Sequence, residues 1–305
     1  MTNSRAGFSR YTLGLPVILF VFLALAAADF LGVQNLSNLI GQVAALLLVS
    51  LGQLLVALVA GVDLSVGSVV SLSSCLVAVN ADPWLGILLA VLLGVAVGLV
   101  NGCGVTLGGI HPFVMSLSSV TFLQGLAFLL LPIPGGHVPP LILGMAKGAV
   151  AGVPAAMVWC ALACIVLAVV LHRTRLGLHF YAVGANAASA RLNGVRGHQV
   201  TITAYVLCSL LAVAAGVYLA GRVSSGDPTI GSSFGLESIT AVALGGVRLT
   251  GGVGGVIAVL AGTATLGLVA NGINLLGISP FLRAALTGAL LLVAICSQRR
   301  KMIGL

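Results

Sequence analysis

Few side chains in this chain could do chemistry, and their spacing narrows what that chemistry can be. The 305 residues include 5 acidic residues, 5 histidines and 6 cysteines. Cys160 and Cys164 stand one helical turn apart, as two ligands of a metal site would. No C-x-x-C or H-E-x-x-H pattern and no nearby carboxylate completes a ligand set. With Cys75, Cys103, Cys208 and Cys296 they read as small hydrophobes in or at the ends of apolar runs. A nucleotide-phosphate loop of the form G-x-x-x-x-G-K-[ST] needs a lysine directly after a glycine, and Lys147 follows Ala146 while Lys301 follows Arg300. No nucleophile and base stand at a recognisable catalytic spacing. The expectation is therefore no catalysis, no metal and no cofactor. What remains is a set of polar residues in apolar surroundings: Asp63, Ser65, Asn101, Glu237, Asn271 and Arg283. Such groups can hydrogen-bond a polar solute or satisfy interrupted helices.

The elements that must position them are membrane spans. Hydrophobic residues make up 60% of the chain and charged residues 6%, whereas a solvated surface needs roughly 25% charged. Apolar runs long enough for a bilayer fall at about 12–30, 39–60, 64–80, 84–107, 112–131, 154–171, 200–220, 231–246, 252–271 and 280–296, the third and eighth being short. This predicts an all-α polytopic membrane protein of about ten helices. Arg5 and Arg10 ahead of a run ending in Ala26-Ala27-Ala28 resemble a secretory signal, but the run is long for one, and an uncleaved first helix is the reading. Cations near short loops stay on the cytoplasmic side. With the N-terminus inside, ten spans put Arg5, Arg10, Arg173, Arg175, Arg191, Arg196, Arg248, Arg299, Arg300 and Lys301 in the cytoplasm, leaving Lys147, Arg222 and Arg283 outside or near the outer face. The formal charge of +8 is thus a topology signal rather than a nucleic-acid patch.

The chain also repeats itself at offsets of 164 to 170 residues. Asp63-Leu64-Ser65-Val66-Gly67-Ser68 returns as Asp227-Pro228-Thr229-Ile230-Gly231-Ser232, Gly98-Leu99-Val100-Asn101-Gly102 as Gly267-Leu268-Val269-Ala270-Asn271-Gly272, and Gly109-Ile110-His111-Pro112-Phe113 as Gly277-Ile278-Ser279-Pro280-Phe281. Within one transmembrane domain over 1–305, repeat 1 covers about 12–131 and repeat 2 about 154–296. Five spans per half invert the second half. The Asp63 turn is then expected near the cytoplasmic face and the Asp227 turn near the external face, with the halves rocking about an interface near the bilayer midplane. Asp63 and Asp227 suit the positive ends of the helices that follow, and Asn101 and Asn271 adjoin glycines that end helices and line the path. The series Gly94, Gly98 and Gly102 lets its helix approach a neighbour closely. A charge at the bilayer centre costs about 2.5–3.5 kcal/mol, so Glu237, placed about 9 Å below the outer surface by helical rise, should face the bundle interior. It could bind a solute hydroxyl, pair with Arg283 or Arg222, or satisfy the amides of a broken helix, the last being favoured.

The longest polar stretch, 172–199, lies in the cytoplasm on this count. Asn186 is placed to cap a short helix through Ala187-Ala188-Ser189-Ala190-Arg191-Leu192, and Gly194 to end it. Three blocks now carry a resemblance over about 35–296: Ala60-Gly61-Val62-Asp63-Leu64-Ser65-Val66-Gly67-Ser68, the stretch from Tyr181 through Gly184-Ala185-Asn186 and Arg191-Leu192-Asn193-Gly194-Val195, and Gly235-Leu236-Glu237-Ser238 onward to Gly245-Gly246. The chain resembles the permease subunits of ribose-type ABC importers, which carry ribose, xylose, galactose, related sugars and autoinducer-2. The resemblance implies import by alternating access in a permease dimer, driven by a separate ABC ATPase subunit. A periplasmic or lipid-anchored sugar-binding protein would deliver the cargo, in a bacterial cytoplasmic (inner) membrane with both termini in the cytoplasm. It also implies that 172–199 is the coupling segment, with Gly184, Asn186, Ala188, Arg191 and Gly194 at the ATPase contact. The Pro/Gly-rich segment 131–153 and Arg283 depart from the family pattern, which leaves the solute open. A secondary transporter of inverted-repeat fold is the alternative, though acidic residues for an ion site are scarce. An intramembrane enzyme is the third reading.

Overall fold

The computed structural model describes residues 10–297. It contains α1 (Arg10–Ala26), α2 (Val33–Leu58), α3 (Val66–Val79), α4 (Pro83–Thr106), α5 (Pro112–Leu130), α6 (Pro140–Lys147), α7 (Ala155–Arg173), α8 (Arg175–Ala185), α9 (Ala187–Leu192), α10 (Gly197–Val223), α11 (Phe234–Leu244), α12 (Val256–Leu275) and α13 (Pro280–Ser297). A two-residue antiparallel hairpin, β1 (Ala149–Val150) with β2 (Val153–Pro154), follows α6. Arg5, Arg299, Arg300 and Lys301 lie outside the described residues, as does the side chain of Arg283. Six helices, α2, α4, α5, α7, α10 and α12, are each long and apolar enough to cross a membrane. The protein is an all-α, multi-pass membrane protein. Every apolar run read from the sequence lies on a helix, and α6, α8 and α9 fill the two long connections.

The short helices shape the centre. α3 has 14 residues and α11 has 11, about 21 and 17 Å of helix against a hydrocarbon core of about 30 Å. Irregular chain precedes each, at 59–65 and 224–233. Unwound backbone buried within protein persists only where protein groups satisfy it. Gln53, its amide set to suit both atoms, donates to Asp63 O at 3.0 Å and accepts from Asp63 N at 3.2 Å. The Tyr205 hydroxyl donates to Val62 O at 3.3 Å. On the other segment Gly231 N donates to Ser71 Oγ at 2.9 Å, Asp227 N to Ser74 Oγ at 3.2 Å, and Gln124 Nε2 to Pro228 O at 2.7 Å.

The repeated motifs repeat in space. Asp63 Oδ1 accepts from Ser65 N at 2.8 Å and Ser65 Oγ at 2.6 Å, while Asp227 Oδ1 accepts from Thr229 N at 2.7 Å and Thr229 Oγ1 at 2.8 Å. Gly109 and Gly277 share φ +64°, and Pro112 and Pro280 each open the next helix. The two turns also touch. A Cβ on Gly67 would overlap the carbonyl of Gly231, and one on Gly231 the carbonyl of Gly67. Leu64 lies against Gly235 and Ser74 against Asp227, so the segments run antiparallel. A reciprocal contact between equivalent positions is what a twofold relation produces.

Packing departs from the picture of two bundles rocking as separate bodies. α3 packs on α4 and α5, and α11 on α12 and α13, each within its own half. Yet α2 packs on α11 and α12, α10 packs on α3 and α4, and α2 and α10 pack on each other. The long central helix of each half is lodged in the other. Apolarity alone does not explain this, since α4 is more apolar and has 28% of its most apolar window buried against 78% in α2; α2 carries Asn35 and Gln53, polar groups that lipid cannot satisfy and protein must. The glycine series on α4 meets α10 as expected, at Val213, Val206 and Ile202. α7 breaks the symmetry, lying mainly against α2 and α8, whereas α1 packs on α12. α5 buries only 17% of its window, leaving Phe122 and Leu129 exposed.

Candidate coupling and translocation sites

A buried hydrogen-bond chain links three helices. Ser119 Oγ on α5 donates to Asn101 Oδ1 at 2.5 Å, Asn101 Nδ2 on α4 donates to Ser65 Oγ at 2.9 Å, and Ser65 Oγ donates to Asp63 Oδ1 at 2.6 Å. Asp63, Ser65 and Asn101 are fully buried. All three first-half candidates thus come together, as internal links rather than as a wall open to solvent. Burial of such polar groups requires partners, since a lost one costs about 1–3 kcal/mol. Sequence reasoning missed Ser119, Gln53 and Gln124, whose signal was an amide or hydroxyl stranded on an apolar helix.

The second half is wired differently. Asn271 does not reach Thr229. It exchanges hydrogen bonds with Asn35 of α2, at 2.7 and 3.2 Å, and Asn35 Nδ2 also donates to Phe30 O at 2.8 Å. Glu237 is buried at 6% exposure, but α11 starts at Phe234, so Glu237 sits in the first helical turn, with its N–H on Ser233 O at 3.0 Å. It is therefore at the helix start and not six residues into a span, because 227–233 is turn rather than helix. A carboxylate there faces the positive end of the helix dipole. Gly231-Ser232-Ser233-Phe234-Gly235 has the spelling of a nucleophile elbow, but that device needs a strand leading into its turn, and here turns precede it.

The polar segment 172–199 holds more helix than expected. Thr174 closes α7 and caps α8, its Oγ1 accepting from Gly177 N at 3.3 Å. α8 buries Phe180, Tyr181 and Val183. Asn186 caps α9, its Oδ1 accepting from Ser189 N at 2.9 Å. α9 ends in a paired turn: Val195 N donates to Ala190 O and Gly194 N to Arg191 O, both at 3.0 Å, with Gly194 at φ +78°. Asn186, Ala188, Arg191 and Gly194 are exposed, as is Leu192 at 87%, and only Ala190 of α9 is buried. α9 is thus a short capped helix that presents a leucine and an arginine at the surface. Gly184 differs from these four, because it faces inward onto the bundle. No cluster of metal-ligating side chains occurs among the described residues.

Comparison with known proteins places the sequence in a family. Residues 35–295 match the family described as branched-chain amino acid transport system / permease component. The ribose import permease protein RbsC of Bacillus subtilis (strain 168) is 36% identical over 291 residues, covering 93% of this chain and 90% of the relative. The L-arabinose ABC transporter permease protein AraH of Azospirillum brasilense is 32% identical over 300 residues, covering 94% and 88%. The D-allose transport system permease protein AlsC of Escherichia coli (strain K12) is 28% identical over 291 residues, covering 93% and 89%. No solved structure gives a significant match. With a family match spanning most of its length and relatives covered almost end to end, the chain belongs to this family of transport-system permease components.

Proposed function

We propose that this chain is the permease subunit of an ATP-driven importer for a sugar or sugar-like solute in a bacterial cytoplasmic membrane, working as a dimer of permeases with separate ATPase subunits and an external solute-binding protein. The observation that carries this reading is the capped α9, which exposes Asn186, Ala188, Arg191 and Leu192 while the adjoining α8 is rooted in the bundle. The relatives, named for ribose, arabinose and allose transport, support the solute class.

The ten helices form two inverted five-helix repeats with both termini in the cytoplasm. Two sets of loop contacts support this. Leu58, Gly184 and Gly252 meet at one end of the bundle, the end assigned to the cytoplasm. Ala78 with His137, Gly135 with Gly226, and Lys147 with Ser224 meet through hydrogen bonds in the loops assigned outside. Asp63, Ser65, Asn101 and Asn271 hold helices together and reach solute only when neighbouring helices part. Glu237 and Arg283 stand at the outer starts of α11 and α13, where solute enters. Because α2 and α10 interlock the halves, the bodies that move apart are whole permease copies, with the pathway between them.

The test is reconstitution with the ATPase and binding protein of the same transport system, using D-ribose, L-arabinose and D-allose as cargo. Loaded binding protein should accelerate ATP hydrolysis several-fold over empty binding protein. Equal rates would end the proposal. Exchange of both Asn186 and Arg191 for Glu should abolish assembly with the ATPase, and normal assembly would remove α9 from that role.

A further inference from the structure

At one point the surface segment meets the bundle with backbone on backbone. Gly252 N, in the glycine-rich loop between α11 and α12, donates to Leu58 O at the end of α2, at 2.9 Å. Gly184, in the last turn of α8, lies directly over that hydrogen bond: a Cβ there would overlap Leu58 O and stand 2.6 Å from Gly252 N. On the opposite side of the contact, a Cβ on Gly251 (φ +92°) would come within 2.8 Å of Gly184 O, and one on Gly252 (φ +74°) within 2.8 Å of Ala185 N. Tyr181 Oη adds a hydrogen bond to Gly254 O at 2.8 Å. The end of α8 therefore clasps one loop from each half of the chain. A side chain can take up a displacement by changing rotamer, whereas touching backbones pass it on, since close packing resists compression.

The Leu58 side of this joint leads to the buried polar chain. Ala60 adopts φ +63°, a left-handed conformation strained for a non-glycine residue, and its Cβ lies 3.0 Å from the Cβ position of Gly251. Three residues on, Asp63 is held through its backbone by Gln53 and through its carboxylate by Ser65. Ser65 leads through Asn101 to Ser119 on α5. The helix at the end of that chain is the one of the six long spans least covered by the rest of the chain.

We propose that movement of the surface segment enters the membrane bundle at the Gly184 joint with Leu58 and Gly252, and that the Asp63–Ser65–Asn101–Ser119 chain carries it to α5. Gly184 and Ser65 are then positioning residues for transport. This rests on the reading of 172–199 as the ATPase contact.

The experiment uses the complete importer in proteoliposomes and measures ATPase co-purification, binding-protein-stimulated ATP hydrolysis and sugar imported per ATP hydrolysed, with whichever of D-ribose, L-arabinose or D-allose the wild type carries. Gly184→Ala should co-purify with the ATPase at the wild-type level and import at least tenfold less sugar per ATP. Ser65→Ala should lower the same ratio several-fold, and Ser65→Thr should restore it, because Thr229 already makes the equivalent pair with Asp227. Gly216→Ala is the control. It crowds α10 against Val70 O at 2.5 Å, away from the joint, and should lower thermal stability while leaving sugar per ATP unchanged. An unchanged ratio in Gly184→Ala, or an equal fall in Gly216→Ala, overturns the proposal. Should Gly184→Ala fail to fold, the Ser65 pair decides: equal ratios for Ala and Thr overturn it. Failure of the wild type to bind the ATPase would instead remove the underlying functional reading.

Discussion

Adding one methyl group at Gly67 or Gly231 tests the reciprocal contact between the two aspartate turns. Each Cβ would be driven into the other turn's carbonyl, and both atoms in the clash belong to rigid chain. Overpacking of this kind costs about 1–3 kcal/mol, a roughly 5- to 150-fold loss in the folded-to-unfolded ratio. The informative quantity is the double variant. Once the first alanine has pushed the turns apart, the second enters space already opened, so Gly67→Ala with Gly231→Ala should cost at least about 1 kcal/mol less than the sum of the singles. Independent sites add to within about 0.3–0.5 kcal/mol, which sets the threshold. The assay is denaturant or thermal unfolding of the purified protein in a mild detergent, followed by helical circular dichroism. Strict additivity, or a single variant as stable as wild type, would mean that the turns do not meet.

Other expectations follow from named contacts. A double-mutant cycle over Asn101→Ala and Ser119→Ala should give a coupling energy of about 0.6 and at most about 1.7 kcal/mol, the range for hydrogen bonds between membrane helices; zero coupling would sever the chain between α4 and α5. Asn186→Ala removes the cap of α9 and should cost about 1 kcal/mol locally, read as a weaker ATPase affinity of about fivefold, while Asn186→Asp should retain most of it. Reporters at residues 140 and 190 should fall on opposite sides of the membrane, and the same side for both would dismantle the ten-span order.

Much of the skeleton was legible from composition because bilayer thickness imposes run lengths. The apolar run at about 39–60 begins later than the helix: α2 starts at Val33 and takes in Asn35 and Asn38. Asn35 is tolerated because Asn271 and Phe30 O receive it, a partnership between positions 236 apart in sequence that no local pattern contains. The caps of α9 were readable since Asn186 and Gly194 act on their own neighbours. α8 was not, because its buried face depends on where α2 ends. Asn101 and Asn271 look equivalent in sequence, and only packing reveals that one serves the aspartate turn and the other ties α12 to α2.

The exchange of central helices between halves bears on biogenesis. α2 leaves the ribosome well before α11 and α12, the helices that will cover much of its apolar surface. Until they arrive, α1–α5 cannot close into a finished unit, and α2 must shelter in lipid or beside an insertion chaperone. Truncation after α5 should therefore yield a protease-sensitive membrane intermediate, not a stable half-protein.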